Sequence, residues 1–487
     1  MAKFGELNVQ CSMIKIQFSM KKIVIAFYFL VLTFDFFGQT VTQKLQKAFT
    51  TFEKDSQLKH AISSFYVIDA NTGQVVFDKN SQVGLAPAST QKIITSVTAF
   101  ELLGKDYRYK TELGYDGEKE GVDMVKGNLF VIGSGDPSLG SWRWKQTSEE
   151  VIINQMLDAI GIAGIKKFTG RIYADVSNWD MNQINDGWIW QDVGNYYGAG
   201  LTSLLWRENQ FDVHLKSGKN IGDPVEIKNY TPLLYTYNYM SNLTSAKKGS
   251  GDNAYIYIQP RVIKGTIPVD ENDFIISGAM PNGHFQFSST LADSLSRRGF
   301  GRMIFPSVIE DKNHPDKVKY SSNKKILYTH YSPALDSIIY WFNKKSINLY
   351  GEALIKTFAY EKKGFGSTDS GVVVVKKFWK EKGLDEDELG IVDGSGLSPL
   401  NRVTTHAQVE ILKYAKAKDW FPYFFTSLPE YNGMKIKSGT IRGVKGFCGY
   451  HKAKNGKEYI FSFLVNNYNG SSSTLVNKMY KVMDILK

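Results

Sequence analysis

Only two cysteines occur in the 487 residues, Cys11 and Cys448. One thiol beyond the first forty residues cannot close an internal disulfide, so the protein must stand on its hydrophobic core. Long apolar runs are equally scarce. The run from Ile23 to Phe34 would make a helix about 18 Å long, well short of the ~30 Å hydrocarbon core of a bilayer. The seven histidines are dispersed and no His-Glu-x-x-His occurs, so zinc peptidase chemistry has no visible ligands and no metal is expected. There is no Walker-type Gly-Lys-Ser/Thr. Gly133-Ser134-Gly135 and Gly364-Phe365-Gly366 both stop short of the six-residue glycine pattern, so no nucleotide cofactor is expected.

What is present is the composition of a large globular protein. Hydrophobic residues make up 43%, aromatic residues 14% and charged residues 22%, which excludes disorder and fibrous architectures. The length suggests two to four domains. A net charge of +11 suits an anionic polymer, an anionic membrane or nucleic acid. The basic residues are scattered rather than gathered into an arm, which argues against nucleic acid. Lys21 and Lys22 precede the short apolar run, and Gly38 follows it. That layout predicts a secretory signal peptide over residues 1–38, with Met20 as a candidate start, and hence export to the periplasm. The alternative is an uncleaved anchor, because Phe36 stands where a cleavage site takes a small residue.

Along the chain, Val41 to Ala61 reads as a helix, and Ser64 to Ala70 and Gln74 to Asp78 as strands joined by Asn71-Thr72-Gly73. Thr90 to Leu103 reads as a helix stopped by Gly104. From about Lys105 to Asn323, Gly, Asn, Asp and aromatic residues punctuate short strand-like runs, without repeats or low-complexity tracts. Helices return at Pro333 to Lys345, Leu349 to Glu361 and Gly371 to Lys382. Gly433 to Ser438, Gly446 to His451 and Tyr459 to Asn466 then read as an antiparallel meander, closed by a helix from Ser473 to Leu486. The predicted layout is a core in two halves, 39–107 and 325–487, interrupted by a β-rich insertion over 108–324. Insertions of this kind enter surface loops.

Three short patterns carry chemistry. Ser89-x-x-Lys92 places an amine one helical turn after a hydroxyl, at the start of a helix whose free N–H groups favour negative charge. A desolvated lysine can serve as the base that such a hydroxyl needs. The spacing alone is weak, since it recurs at Ser56/Lys59 and Ser245/Lys248 among others. Ser346-Ile347-Asn348 sits at the junction of two predicted helices. Lys437-Ser438-Gly439-Thr440 ends a predicted strand, where an ammonium and hydroxyls can hold a carboxylate and Gly439 leaves room for a substrate backbone. Glu352 lies four residues after Asn348, and pairing with Lys356 is its expected role; action on water is the alternative. Asp393 to Ser398 reads as a structural loop bordering the cleft, and the Trp and Tyr residues of the insertion as core.

In this order and setting, the three patterns resemble the penicillin-recognising serine acyl-transferases. More narrowly, the chain is similar to the D-alanyl-D-alanine carboxypeptidase/endopeptidase family of class C, low-molecular-mass penicillin-binding proteins. Gly133-Ser134-Gly135-Asp136-Pro137, Gly187-Trp188-Ile189-Trp190 with Tyr196-Tyr197, Asn343 to Glu352 and Asp393 to Ser398 carry the likeness as well, over essentially the whole mature chain. The wide gap between Ser89 and Ser346 is also family-like. The resemblance implies an α+β penicillin-binding/serine β-lactamase-like transpeptidase fold: an antiparallel sheet flanked by helices, a helical lobe, and the β-rich insertion. It implies Ser89 as acylated nucleophile, Lys92 as base, and Ser346 and Asn348 as proton relay and substrate-amide holder. Lys437, Ser438, Gly439 and Thr440 would bind the C-terminal carboxylate, with the N–H groups of Ser89 and Thr440 as oxyanion hole. Implied partners are peptidoglycan stem peptides and β-lactams, without cofactor, metal or nucleic acid; peripheral membrane association is a further expectation. Ser438, where threonine is commoner, and Ile347, where a polar residue is frequent, are the departures. A β-lactamase and a non-catalytic wall-scaffolding protein are the alternatives.

Overall fold

The computed structural model describes residues 39–235, 237–300 and 304–487; the signal peptide expected over 1–38 lies outside them. The two ends of the chain build one six-stranded antiparallel sheet. Its order is Glu430–Tyr431, Met434–Ile441, Val444–Lys452, Glu458–Asn466, Ile62–Asp69, Val75–Lys79. The early hairpin therefore adds to the edge of the late meander.

The side-chain alternation of Ile62–Asp69 explains why this sheet is covered on both faces. Phe65 and Val67 enter one core, where the helices Val41–Glu53 and Ser472–Met483 supply Leu45, Phe49, Leu475 and Met479. Tyr66 and Ile68 enter the opposite core with Ile93, Val97, Ile411 and Leu412 from the helices Lys92–Leu103 and Thr405–Lys416. Phe65 stacks on Phe463 of the neighbouring strand at 4.6 Å. Each such aromatic, fully buried, contributes about 1.5–3 kcal/mol. The helical lobe contains Leu335–Lys344, Asn348–Lys363 and Thr368–Glu381.

The inserted region holds a five-stranded sheet ordered Ile304–Ile309, Arg171–Asp175, Leu129–Gly133, Lys110–Tyr115, Lys325–Tyr331. The first three strands run parallel and the last two pair antiparallel, so this sheet extends past residue 324. The helices Glu149–Ile162 and Gly283–Arg297 cover it with Ile152, Met156, Ile160, Leu291 and Leu295. Two three-stranded sheets share a separate core built on Phe211, Val213, Ile256 and Ile263. Trp179 and Trp206 are fully buried. Among the described residues, no helix is long and apolar enough to cross a membrane.

Candidate active site

Ser89 lies on a 3₁₀ turn, Ala88–Gln91, that runs directly into the helix Lys92–Leu103. The turn starts with strain: Ala88 has φ 47°, and across the cleft Ser346 has φ 56°. Left-handed backbone at residues with a Cβ costs about 1–2 kcal/mol each and persists only where the surroundings enforce it. Enforcement is visible beside Ala88, where Gly396 approaches so closely that a Cβ there would lie 2.0 Å from the Ala88 carbonyl oxygen.

Lys92 is fully buried, and its Nζ has three partners: Ser89 Oγ at 2.9 Å, Asn348 Oδ1 at 2.7 Å and the Ser395 carbonyl at 2.7 Å. Burial drives its pKa well below that of a free lysine, and the charge of Lys437 adds to the effect against the opposing carboxylates Asp393 and Glu352. Lys437, also buried, donates to Ser346 Oγ at 3.0 Å and to the Ser438 carbonyl at 2.9 Å. Burial pushes it down to about 7. The three sequence patterns thus converge, with Lys92 bridging the first to the second and Lys437 the second to the third.

Ser89, Ser346, Asn348 and Thr440 open onto a cleft of ≈ 980 Å³ whose far wall carries Ile189, Tyr196 and Tyr255 of the insertion. Thr440 Oγ1 accepts from Lys445 Nζ at 2.8 Å, while Ser438 enters through its carbonyl. At Gly439 the space is taken by the protein itself rather than left open. An added Cβ would meet Pro87 O at 2.6 Å and the Ser89 and Thr90 nitrogens at 2.9 Å, because the strand packs directly on the turn that bears Ser89.

The Asp393 loop does what a structural border does, and more. Asp393 accepts from Gly396 N (2.8 Å), Ser398 N (2.7 Å), Asn401 Nδ2 (2.9 Å) and Trp188 Nε1 (3.2 Å), which aims the Ser395 carbonyl at Lys92. The expected Glu352–Lys356 pair does not form. Both side chains are fully buried against the insertion, which provides separate partners. Lys356 donates to Asp180 Oδ1 at 2.7 Å and the Asn182 carbonyl at 2.8 Å. Glu352 Oε2 accepts from Asn185 Nδ2 at 2.8 Å and Gly394 N at 3.0 Å. Burial, then the neighbouring Asp393 charge, raises Glu352 to about 7. Two contributors escaped sequence reasoning because they act through backbone carbonyls: Ser395, and Tyr197, which accepts Asn348 Nδ2 at 2.8 Å.

A hydroxyl at a helix entrance, served by a water-stripped amine and faced by a cationic strand, is the equipment of a serine acyl-transferase. The chain matches the D-Ala-D-Ala carboxypeptidase 3 (S13) family over residues 45–486 and belongs to it. It is 25% identical to a D-alanyl-D-alanine carboxypeptidase of Actinomadura sp. (strain R39) over 459 residues, covering 87% of this chain and 81% of that one. To D-alanyl-D-alanine carboxypeptidase DacB of Haemophilus influenzae it is 24% identical over 427 residues, covering 83% and 85%. In fold it is similar to the crystal structure of penicillin binding protein 4 of Haemophilus influenzae, with TM-score 0.75 and 20% identity over 91% of this chain and 99% of that one.

Proposed function

We propose that the protein is an exported serine D,D-peptidase that opens the terminal D-Ala-D-Ala bond, or D-Ala cross-links, of peptidoglycan stem peptides through an acyl-Ser89 intermediate. The observation that carries this reading is the environment of Lys92. Removal of water favours the neutral amine, which has two N–H donors and one lone pair. Two acceptors without a proton to give, Asn348 Oδ1 and the Ser395 carbonyl, take the donors. The lone pair then faces the remaining neighbour, the Ser89 hydroxyl.

The steps follow from that geometry. Lys92 takes the Ser89 proton as Oγ attacks the carbonyl carbon, and the N–H groups of Ser89 and Thr440 receive the oxyanion. Ser346, hydrogen-bonded to Lys437, relays a proton to the departing amine as the C–N bond breaks. Asn348 holds the substrate amide. Lys437, Ser438, Gly439 and Thr440 form the strand end that receives the terminal carboxylate. Water then attacks the acyl-enzyme and frees Ser89. β-Lactams would acylate the same serine; a β-lactam complex exists for the Haemophilus influenzae relative. Membership in a family named for D-Ala-D-Ala cleavage supports a cell-wall substrate and a periplasmic site of action.

The test is D-alanine release from an N-acylated pentapeptide, followed from pH 5 to 10. Lys437 must carry its proton to bind the substrate carboxylate, and it loses that proton near 7 in the free protein. We therefore expect kcat/KM to fall as pH rises through about 7. A bound carboxylate favours the ammonium, so kcat should hold to higher pH. Absence of any D-alanine release would sink the reading.

A further inference from the structure

Asn348, Glu352 and Lys356 follow one another at intervals of four on the helix Asn348–Lys363, so they share one face. Each is bonded to a single stretch of the insertion, and in reversed order. Asn348 Nδ2 donates to the Tyr197 carbonyl at 2.8 Å. Asn185 Nδ2 donates to Glu352 Oε2 at 2.8 Å. Lys356 Nζ donates to Asp180 Oδ1 at 2.7 Å and the Asn182 carbonyl at 2.8 Å. Residues 180–197 therefore run against the helix like a rail, one hydrogen-bonded contact per turn. A second contact from the insertion reaches the same helix at Tyr350, whose hydroxyl donates to Glu208 Oε1 at 2.7 Å.

We propose that this rail, with Asn185 as its principal side chain, is a positioning element of the acylation machinery: it orients the Asn348 amide and sets the charge of Glu352 beside Lys92. The Asn348 amide has one donor end and one acceptor end. The Tyr197 carbonyl takes the donor end, which turns Oδ1 toward Lys92; a flipped amide would set N–H against the amine. Asn185 is itself held, accepting on Oδ1 from Thr368 Oγ1 at 2.9 Å, so its Nδ2 is committed to Glu352.

The second arm is electrostatic. The charges facing Lys92 are Lys437, Asp393 and Glu352, and those facing Glu352 are Asp393, Lys92 and Lys356. Asp393 collects donors on both oxygens, and the charged form of Glu352 is favoured by the Ser395 hydroxyl, then by Gly394 N and Asn185 Nδ2. Without Asn185, Glu352 keeps its proton to higher pH. Lys92 then loses a negative neighbour and becomes neutral at lower pH.

The experiment measures the rate of acylation by a fluorescent penicillin from pH 5 to 9 for wild type, Asn185→Ala, Glu352→Gln and the double variant. It rests on the acyl-Ser89 reading, which wild-type labelling checks separately: an unlabelled wild type defeats that reading, whereas the rail is judged among proteins that label. We expect the ascending limb to move to lower pH by about half a unit or more in each single variant, with no further movement in the double variant. A rate lowered by the same factor at every pH in Asn185→Ala, with the limb unmoved, overturns the proposal. Should Asn185→Ala not fold, the near-isosteric Glu352→Gln decides: an unmoved limb there overturns it equally.

Discussion

Exchanging Lys92 for methionine is expected to lower acylation of Ser89 by about 10³-fold or more while the fold stands, because removing the base from a nucleophile–base pair costs at least that much in serine hydrolases. The expectation follows from placement. Lys92 Nζ is 2.9 Å from Ser89 Oγ, and among the described residues no other amine hydrogen-bonds to that oxygen. Methionine keeps the unbranched length of the side chain inside a pocket that is fully closed to solvent. Two acceptors, Asn348 Oδ1 and the Ser395 carbonyl, lose their donor, at about 1–3 kcal/mol each. Relief from burying an amine offsets part of that. Lys92→Arg should be equally inactive, since a guanidinium cannot give up its proton. The check is the acylation rate by intact mass, beside a thermal melt. Acylation at near wild-type rate in Lys92→Met would mean that another group takes the proton.

Gly439→Ala is expected to cost about 10²-fold in kcat and to lower stability by roughly 1–3 kcal/mol. The three nearest atoms that an added Cβ would meet, Pro87 O, Ser89 N and Thr90 N, all belong to backbone, so the closest contacts cannot be relieved by a side chain swinging aside. Either the strand Met434–Ile441 retreats or the turn bearing Ser89 is displaced, and a displacement near 1 Å at the nucleophile suffices for a loss of that size. Gly433→Ala on the adjoining hairpin is the comparison. Its φ of 68° makes alanine strained there, yet nothing lies within 4 Å of the new Cβ. It should cost about 1–2 kcal/mol of stability and leave acylation intact. Equal losses of activity in both variants would show that strand stability, not contact with the nucleophile turn, governs the rate.

Five of the six strands of the core sheet were legible, because they carry alternating or continuous apolar residues bounded by turns such as Asn71-Thr72-Gly73, and they lie near the positions expected from those signals; the short edge strand Glu430–Tyr431, exposed and without an apolar pattern, was not. The joining of the Ile62–Asp69 hairpin to the late meander is a non-local pairing that no single stretch declares; the resemblance supplied it. In the insertion, the helix Glu149–Ile162 shows Ile152, Ile153, Met156 and Ile160 at helical spacing, a signal passed over amid the Gly- and Asn-rich punctuation around it. Its parallel strand pairs were also invisible, since pairing direction depends on crossovers rather than on composition.

At the site, the side chains proposed to do chemistry were readable and the groups that aim them were not. Ser89, Lys92, Ser346, Asn348 and Lys437 stand out by type together with the order and setting of their three patterns, since spacing alone recurs elsewhere. The carbonyls of Ser395 and Tyr197 belong to backbone, which any residue could provide. Glu352 and Lys356 sit at the spacing of an ordinary helical ion pair, and only the buried rail of residues 180–197 separates them. Gly439 was read as space for substrate because the approach of the Pro87–Thr90 turn is a tertiary contact.

The most direct test of an acyl-Ser89 enzyme is incubation of the purified protein with a fluorescent penicillin, beside Ser89→Ala, followed by a denaturing gel. The account predicts a stable label on wild type that survives denaturation and is absent from a folded Ser89→Ala protein. Equal labelling of both proteins, or none on a folded wild type, would contradict it.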